Sequence, residues 1–303
     1  MSSGVSVVSP LIVFFEQWKS RIDNTLDNLV PASHAPHQIL FEAARYALLG
    51  AGKRLRPLLV IATVESLGKD SEIALIPACA LELIHTYSLI HDDLPCMDND
   101  DFRRGKPTLH RVFPEGHALL TGDYLLTHAF DLLSRCPMLS SDHKIDLIQV
   151  LSHAAGGEGM IGGQVMDLLA ETMNVDLEMM TLIHQKKTGA LFAAAIEFGA
   201  ILAHVPSEQR LLLKICGEKI GLAFQIMDDV LDLIASEKKH GKSISSDQYN
   251  KKTTYVTLLG LEQSRHLAQQ LYQSALKLLY TLPREPTSLI YLTEQVIGAD
   301  ASV

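Results

Sequence analysis

The sequence predicts an all-α protein, and three observations carry that expectation. Apolar residues recur at three and four positions through most of the chain, which is the pattern of amphipathic helices. No run of alternating Val, Ile or Thr bounded by turn residues marks a strand. The 303 residues are 47% apolar and 20% charged, which is enough apolar material for a core and excludes general disorder.

The periodicity places helices over 36–50, 54–67, 73–93, 116–134, 141–155, 160–172, 176–202, 207–234, 261–281 and 286–296. Gly50 and Gly52 stop the first, and Pro137 separates two more. Ser207 follows Pro206 at the position of an N-cap, and Pro283 and Pro286 bracket a break before the last helix. Segments 73–93 and 207–234 are apolar nearly all round, so they read as buried central helices. No low-complexity linker and no solenoid-type repeat divides the chain, which predicts one domain over 1–303.

Composition excludes several functions. Lys plus Arg total 26 and Asp plus Glu 35, giving a net charge of −9, which argues against nonspecific nucleic-acid binding. Cys79, Cys96, Cys136 and Cys216 show no zinc or CxxC spacing and read as thiols of a reducing compartment. The opening MSSGVSVVSPLIVFFEQW lacks a basic n-region and a small-residue cleavage site, and no uninterrupted run of about 18 apolar residues suggests a membrane span. The expectation is a cytoplasmic protein.

The most informative stretch runs from His91 to Asp101. Asp92, Asp93, Asp98, Asp100 and Asp101 follow the apolar run ALELIHTYSLI. Like charges there repel, and a helix C-terminus favours cations, so something must compensate them. A hard divalent cation would do so. Asp92 and Asp98 lie roughly 120° apart on a regular helix, so the segment must bend if both are to face one site, and Pro95 is placed to help. A second cluster, Asp228, Asp229 and Asp232, ends the run LAFQIM. Asp228 and Asp232 are one helical turn apart, with Cβ atoms about 6 Å from each other.

Cations accompany both clusters. Lys53, Arg54 and Arg56 open one predicted helix, and Arg103, Arg104 and Lys106 follow the first acidic stretch. Lys187 and Thr188 lie inside a long apolar helix, and Lys242 and Lys252 follow the second cluster. Carboxylates that hold Mg²⁺ beside Arg and Lys suit a phosphate-bearing ligand. Gly157 to Gly162 match GxGxxG, but they follow a helical pattern rather than a strand, so the dinucleotide-binding context fails. Gln164 and Asp167 share one side of the helix that follows.

The order GKRLRP, IHTYSLIHDDLPCMDNDDFRRGKPTLH, KTGALF, FQIMDDVLDL and then KKTTY resembles the trans-isoprenyl diphosphate synthases over roughly 50–260, in particular their bacterial farnesyl branch. The resemblance implies a single large orthogonal helical bundle with a central active-site cavity, and a homodimer. It implies that Asp92 and Asp98 are first-motif Mg²⁺ ligands with Asp93 supporting, and that Asp228 is the second-motif ligand with Asp229 and Asp232 assisting. About three Mg²⁺ ions accompany bound substrate in this reading. Lys53, Arg56, His85 and Arg104 look like the isopentenyl diphosphate pocket, and Arg103 like a contact to the allylic diphosphate. Lys187, Lys242 and Lys252 look like further diphosphate contacts. Thr188 and Gln225 look like the polar groups beside the developing allylic cation.

Product length turns on the helix before Asp92. Tyr87 resembles the bulky floor that stops a growing prenyl tail, with Ser88 beside it, which favours a C15 product, farnesyl diphosphate, over C20 geranylgeranyl diphosphate. An ordinary core tyrosine would instead have its hydroxyl satisfied. Two rivals remain. A helical interaction protein with solvated acidic loops predicts no Mg²⁺-dependent ligand binding. A terpene cyclase would not need the Lys53 and Arg56 pocket or the second full cluster.

Overall fold

The computed structural model describes residues 9–32, 34–50, 52–240 and 253–297. The helices are α1 (Pro10–Leu29), α2 (Gln38–Leu48), α3 (Leu55–Ser66), α4 (Leu75–Asp92), the single turn α5 (Leu109–Val112) and α6 (Glu115–Arg135). They continue as α7 (Ser141–Ala155), α8 (Met160–Ala170), α9 (Leu177–His184), α10 (Ala190–Leu202) and α11 (Ser207–His240). The last are α12 (Tyr255–Leu259), α13 (Leu261–Leu279) and α14 (Thr287–Ile297). The fold is all-α. Among the described residues the only strands are β1 (Phe102–Arg103) and β2 (Lys106–Pro107), an antiparallel pair. Arg104 (φ 51°) and Gly105 (φ 77°) turn between them, as a two-residue hairpin with both φ positive requires.

Two differences from the sequence reading have clear causes. Helix α1 was not expected. Its buried Phe15, Trp18, Ile22 and Leu26 recur at helical spacing, and Pro10 sits in its first turn, where a missing N–H costs nothing. Helix α11 runs past 234 to His240, so Asp228 and Asp232 stand within the helix rather than at its end.

The structure divides into two compact units. One lies within Met1–Ile61 and Ser71–Lys144, the other within Ala62–Asp70 and Ile145–Val303. In the first, α4 packs against α1, α2 and α6 and buries both flanks, including Leu81, Leu83, Ile84 and Tyr87. The stretch Ser71–Asp92, although interrupted by Glu82 and His85, is by length and mean hydropathy apolar enough to cross a bilayer. However, 67% of its most apolar window is buried within the protein, as for a core helix. Three ion pairs tie α1 to its neighbours: Arg21 to Glu72, Asp27 to Arg45, and Asp23 to Arg54.

In the second unit, α11 packs against α10 and α13. Helix α10 is buried along its whole length except Ala190, from Leu191 to Leu202. Between α9 and α10 the helix widens into a π turn over Gln185–Gly189, a distortion often found at functional sites. Glycines permit this packing. A Cβ on Gly163 of α8 would stand 2.7 Å from the Lys187 Cα, and one on Gly221 of α11 would stand 2.8 Å from the Gly189 Cα.

Candidate active site

In the first unit, α4 ends at Asp92 and the chain folds back on itself. The Asp98 N–H donates to the Asp92 carbonyl at 2.9 Å, and the Asn99 N–H to the Leu94 carbonyl at 3.1 Å. Asn99 takes φ 51°, which a short polar side chain tolerates. This is the bend that the six-residue spacing required, and it brings the backbones of Asp92 and Asp98 together. Asp98, Asp100 and Asp101 are exposed, and Asp92 is half-buried.

Asp93 sits differently. It is buried, and Arg103 spans its Oδ1 with Nε at 2.8 Å and Nη2 at 2.7 Å. Arg103 also reaches Asp100 at 3.5 Å. Burial pushes the Asp93 carboxyl up, and the Arg103 bond opposes that shift. The Asp93 carboxylate, expected to support the metal ligands, is engaged by the Arg103 guanidinium in this structure. Arg111 pairs with Asp101.

Cationic groups accompany the acidic loop. Burial, followed by the charges of Arg56, Arg104, Arg103 and Arg54, holds His85 well below the ordinary histidine range, so its imidazole is neutral. Burial brings Arg56 down to about 10, opposed by Glu82 and reinforced by the charge of Arg104. Glu82, only 2% exposed, accepts a hydrogen bond from Arg54 at 2.8 Å. Lys53 is exposed at the entrance to α3. A cleft of about 80 Å³ is lined by Thr86, Ile90, Asp93, Arg103, Arg104 and Lys106, among others. The sequence reading missed Glu82, although a lone carboxylate in the apolar run ALELIHTY was a usable signal.

Tyr87 is 4% exposed and meets His91 edge-on, with ring centroids 5.7 Å apart. Its hydroxyl is buried without a hydrogen-bond partner. Burial, with help from Asp92, pushes the phenol up to about 12. The satisfied hydroxyl of an ordinary core tyrosine is absent. Ser88 donates to the His85 carbonyl of its own helix at 2.9 Å. His91 holds the Leu119 carbonyl through Nε2 at 3.0 Å and occupies the space where a side chain on Gly122 would be.

In the second unit a chain of hydrogen bonds links the remaining candidates. Lys187 pairs with Asp167 at 2.7 Å. Thr188 Oγ1 donates to Gln225 Oε1 at 2.8 Å, and Gln225 Nε2 donates to Asp229 Oδ1 at 3.3 Å. The Tyr255 backbone N–H donates to Asp229 Oδ2 at 3.0 Å, and the Tyr255 hydroxyl meets Thr181 Oγ1 at 2.6 Å. Burial pushes Asp229 up to about 6, against these hydrogen bonds and with repulsion from Asp228 and Asp232. Asp229 is thus engaged on the inner side of α11, while Asp228 and Asp232 are exposed one turn apart. Tyr255, fully buried, was not anticipated as a partner of the cluster. Lys242 and Lys252 lie outside the described residues.

Among the described residues no three His, Cys, Asp or Glu side chains converge into a metal cage. That donor set still fits Mg²⁺, which dehydrates reluctantly and is bound through one or two carboxylates, waters and substrate phosphates. Asp92 with Asp98, and Asp228 with Asp232, offer such sparse oxygen sets.

The polyprenyl synthetase family profile matches residues 37–279. The chain belongs to that family. It is 42% identical over 296 residues to a farnesyl diphosphate synthase of Bacillus subtilis, covering 97% of this chain and 100% of that protein. An apo crystal structure of an FPP/GFPP synthase from Zymomonas mobilis matches with a TM-score of 0.85 and 42% identity, covering 95% of this chain and 98% of that one. A geranyltransferase from Helicobacter pylori, complexed with magnesium and isoprenyl diphosphate, matches with a TM-score of 0.83 and 35% identity, covering 96% and 98%.

Proposed function

We propose that this chain joins isopentenyl diphosphate to dimethylallyl diphosphate and then to geranyl diphosphate, releasing diphosphate at each step and ending at (2E,6E)-farnesyl diphosphate. It is an enzyme, a short-chain trans-prenyltransferase. The observation that carries the reading is that α4, which ends at Asp92, carries a buried His85 held neutral by its burial and by the charges of Arg56, Arg104 and Arg103, and that the turn beyond it brings the Asp98 backbone back to Asp92. Such a site binds a diphosphate on one side and a divalent cation on the other.

Lys53, Arg56, Arg104 and His85 bind the diphosphate of the isopentenyl substrate. His85 does so as a neutral donor, because the arginines already carry the charge. Arg103 and Lys187 take the allylic diphosphate, with Lys242 and Lys252 as further contacts. Mg²⁺, about three ions in this reading, supplies the charge that stabilises the departing diphosphate. Asp92, Asp98, Asp228 and Asp232 hold the metal, while Asp93 orients Arg103 and Asp229 orients Gln225. The allylic C–O bond breaks, the isopentenyl alkene forms the new C–C bond, and the proton it loses passes to the released diphosphate. Thr188 and Gln225 turn fixed oxygen dipoles toward the allylic cation. Tyr87 limits the tail to C15.

The family profile runs through both units, which supports reading them as parts of one polyprenyl synthetase domain. A homodimer in the cytoplasm completes the proposal. The test is thermal denaturation with a non-hydrolysable geranyl diphosphate analogue. Stabilisation that requires Mg²⁺ and disappears with a chelator is expected. Equal melting with and without Mg²⁺ would sink the reading in favour of an interaction protein.

A further inference from the structure

Arg54 has none of the roles assigned above, yet its guanidinium hydrogen-bonds to four different residues. It is 5% exposed. Its Nε donates to Asp23 of α1 at 2.7 Å and its Nη1 to Glu82 of α4 at 2.8 Å. Its Nη2 donates to the Leu48 carbonyl at the end of α2 at 2.6 Å and to the Gly50 carbonyl at 3.3 Å. One guanidinium therefore fastens three helices and the loop between α2 and α3. Its backbone is at φ 51°, a left-handed conformation that a long side chain rarely adopts and that persists only where surroundings impose it. Lys53 precedes it and Arg56 is two residues on, so this conformation sets the direction from which both side chains leave the chain. Gly52 completes the arrangement: a Cβ there would lie 3.0 Å from Arg104 Nη1 and 3.1 Å from Arg54 Nη1. Arg104 and Arg54 therefore approach each other over a residue without a side chain, and Glu82 supplies the nearest buried negative charge.

We propose that Arg54 is a positioning residue for the isopentenyl diphosphate pocket, fastening the Lys53–Arg56 turn to Asp23 and Glu82, so that the N-terminal helix α1 supports substrate binding although it lies outside the matched family profile. The inference rests on the isopentenyl pocket of the proposed function. Lysine cannot replace Arg54, since it keeps the charge but lacks the planar fork.

The test is steady-state kinetics of Arg54→Lys and Asp23→Asn, with isopentenyl and geranyl diphosphates varied separately. Arg54→Lys is expected to raise KM for isopentenyl diphosphate on the order of tenfold through misplacement of binding groups. KM for geranyl diphosphate and kcat should stay within roughly twofold, since the allylic contacts are untouched. Asp23→Asn, which is far milder for folding, should move the same constant in the same direction by a smaller factor. A wild type without turnover would remove the functional reading and this inference together. A working wild type whose variants change both KM values alike, or change only their melting temperature, would remove the inference alone. Unfolding of both variants would mark the network as purely structural and also overturn it.

Discussion

The two acidic clusters are built in opposite ways. In the first unit, Asp92 and Asp98 are brought together by a chain reversal beyond α4, and the arginines nearby stand on left-handed backbone at Arg54 and Arg104. In the second unit, Asp228 and Asp232 need nothing but one turn of α11, and Lys187 and Thr188 ride on a π turn packed against glycines. The first arrangement depends on ion pairs, such as Arg103 with Asp93 and Arg54 with Glu82. The second depends on close backbone packing and on the hydrogen-bond chain from Thr188 through Gln225 and Asp229 to Tyr255. A ligand set on a loop must be held by charges, whereas one on a buried helix can be held by the helix itself.

Substitutions test that contrast most strongly at the carboxylates. Asp92→Ala and Asp228→Ala should each lower turnover by ~10³-fold, the scale of losing one electrostatic contact to the departing group. Their melting temperatures should stay near wild type, because neither residue is buried. Asp93→Asn acts only through Arg103, so its loss should be about tenfold. A defect in Asp93→Asn as deep as in Asp92→Ala would show that Asp93 is a ligand after all and would break the comparison.

Packing gives the next effect. Gly163→Ala places a Cβ against the Lys187 backbone, and overpacking of that kind costs about 1–3 kcal/mol. Gly122→Ala meets first the imidazole of His91, with Cε1 at 2.9 Å, and a ring can rotate aside where backbone cannot. Chemical denaturation should therefore find Gly163→Ala the less stable of the two. Equal losses would mean that the backbone at the π turn yields as readily as the His91 ring between α4 and α6.

Tyr87 separates shape from polarity. Tyr87→Ala should lengthen the product, read by chromatography of the dephosphorylated prenols, because the floor is gone. Tyr87→Phe should keep C15 and gain about 1 kcal/mol of stability, since it deletes a buried hydroxyl that has no partner. An unchanged product spectrum in the alanine variant would remove Tyr87 as the floor.

The last effect concerns pH. His85 is held neutral in the folded state, below its ordinary value of 6.5. The unfolded chain therefore binds a proton that the folded chain does not, and stability falls as pH drops below about 6.5, by up to about 1.4 kcal/mol per pH unit. His85→Gln should flatten that decline between pH 7.5 and 5.5 when melting is followed at fixed ionic strength. Parallel curves for variant and wild type would show that His85 titrates normally.

The sequence revealed these two regions unequally. The periodicity placed the long helices, and the four-residue spacing of Asp228 and Asp232 is itself a statement of geometry. The need for a bend between Asp92 and Asp98 was also readable, but not which backbone bond would close it. That Asp93 would be taken by Arg103 was not readable, because the pairing depends on a hairpin of two-residue strands that no propensity announces. Asp229 likewise differs from its neighbour Asp228 through its burial and through hydrogen bonds from Gln225 and from Tyr255, 26 residues away. Helix α1 is hard to read from sequence although Phe15, Trp18, Ile22 and Leu26 carry the period, because its opening PLIVFF is a short apolar run without helical alternation. The left-handed Arg54 had no sequence signal, since arginine is not a residue that favours that region.

The most direct measurement is the product of the purified protein with Mg²⁺, dimethylallyl diphosphate and labelled isopentenyl diphosphate. The account predicts a mainly C15 prenyl diphosphate, formed only while Mg²⁺ is present. Absence of any prenyl product, or product formation unaffected by a chelator, would contradict it.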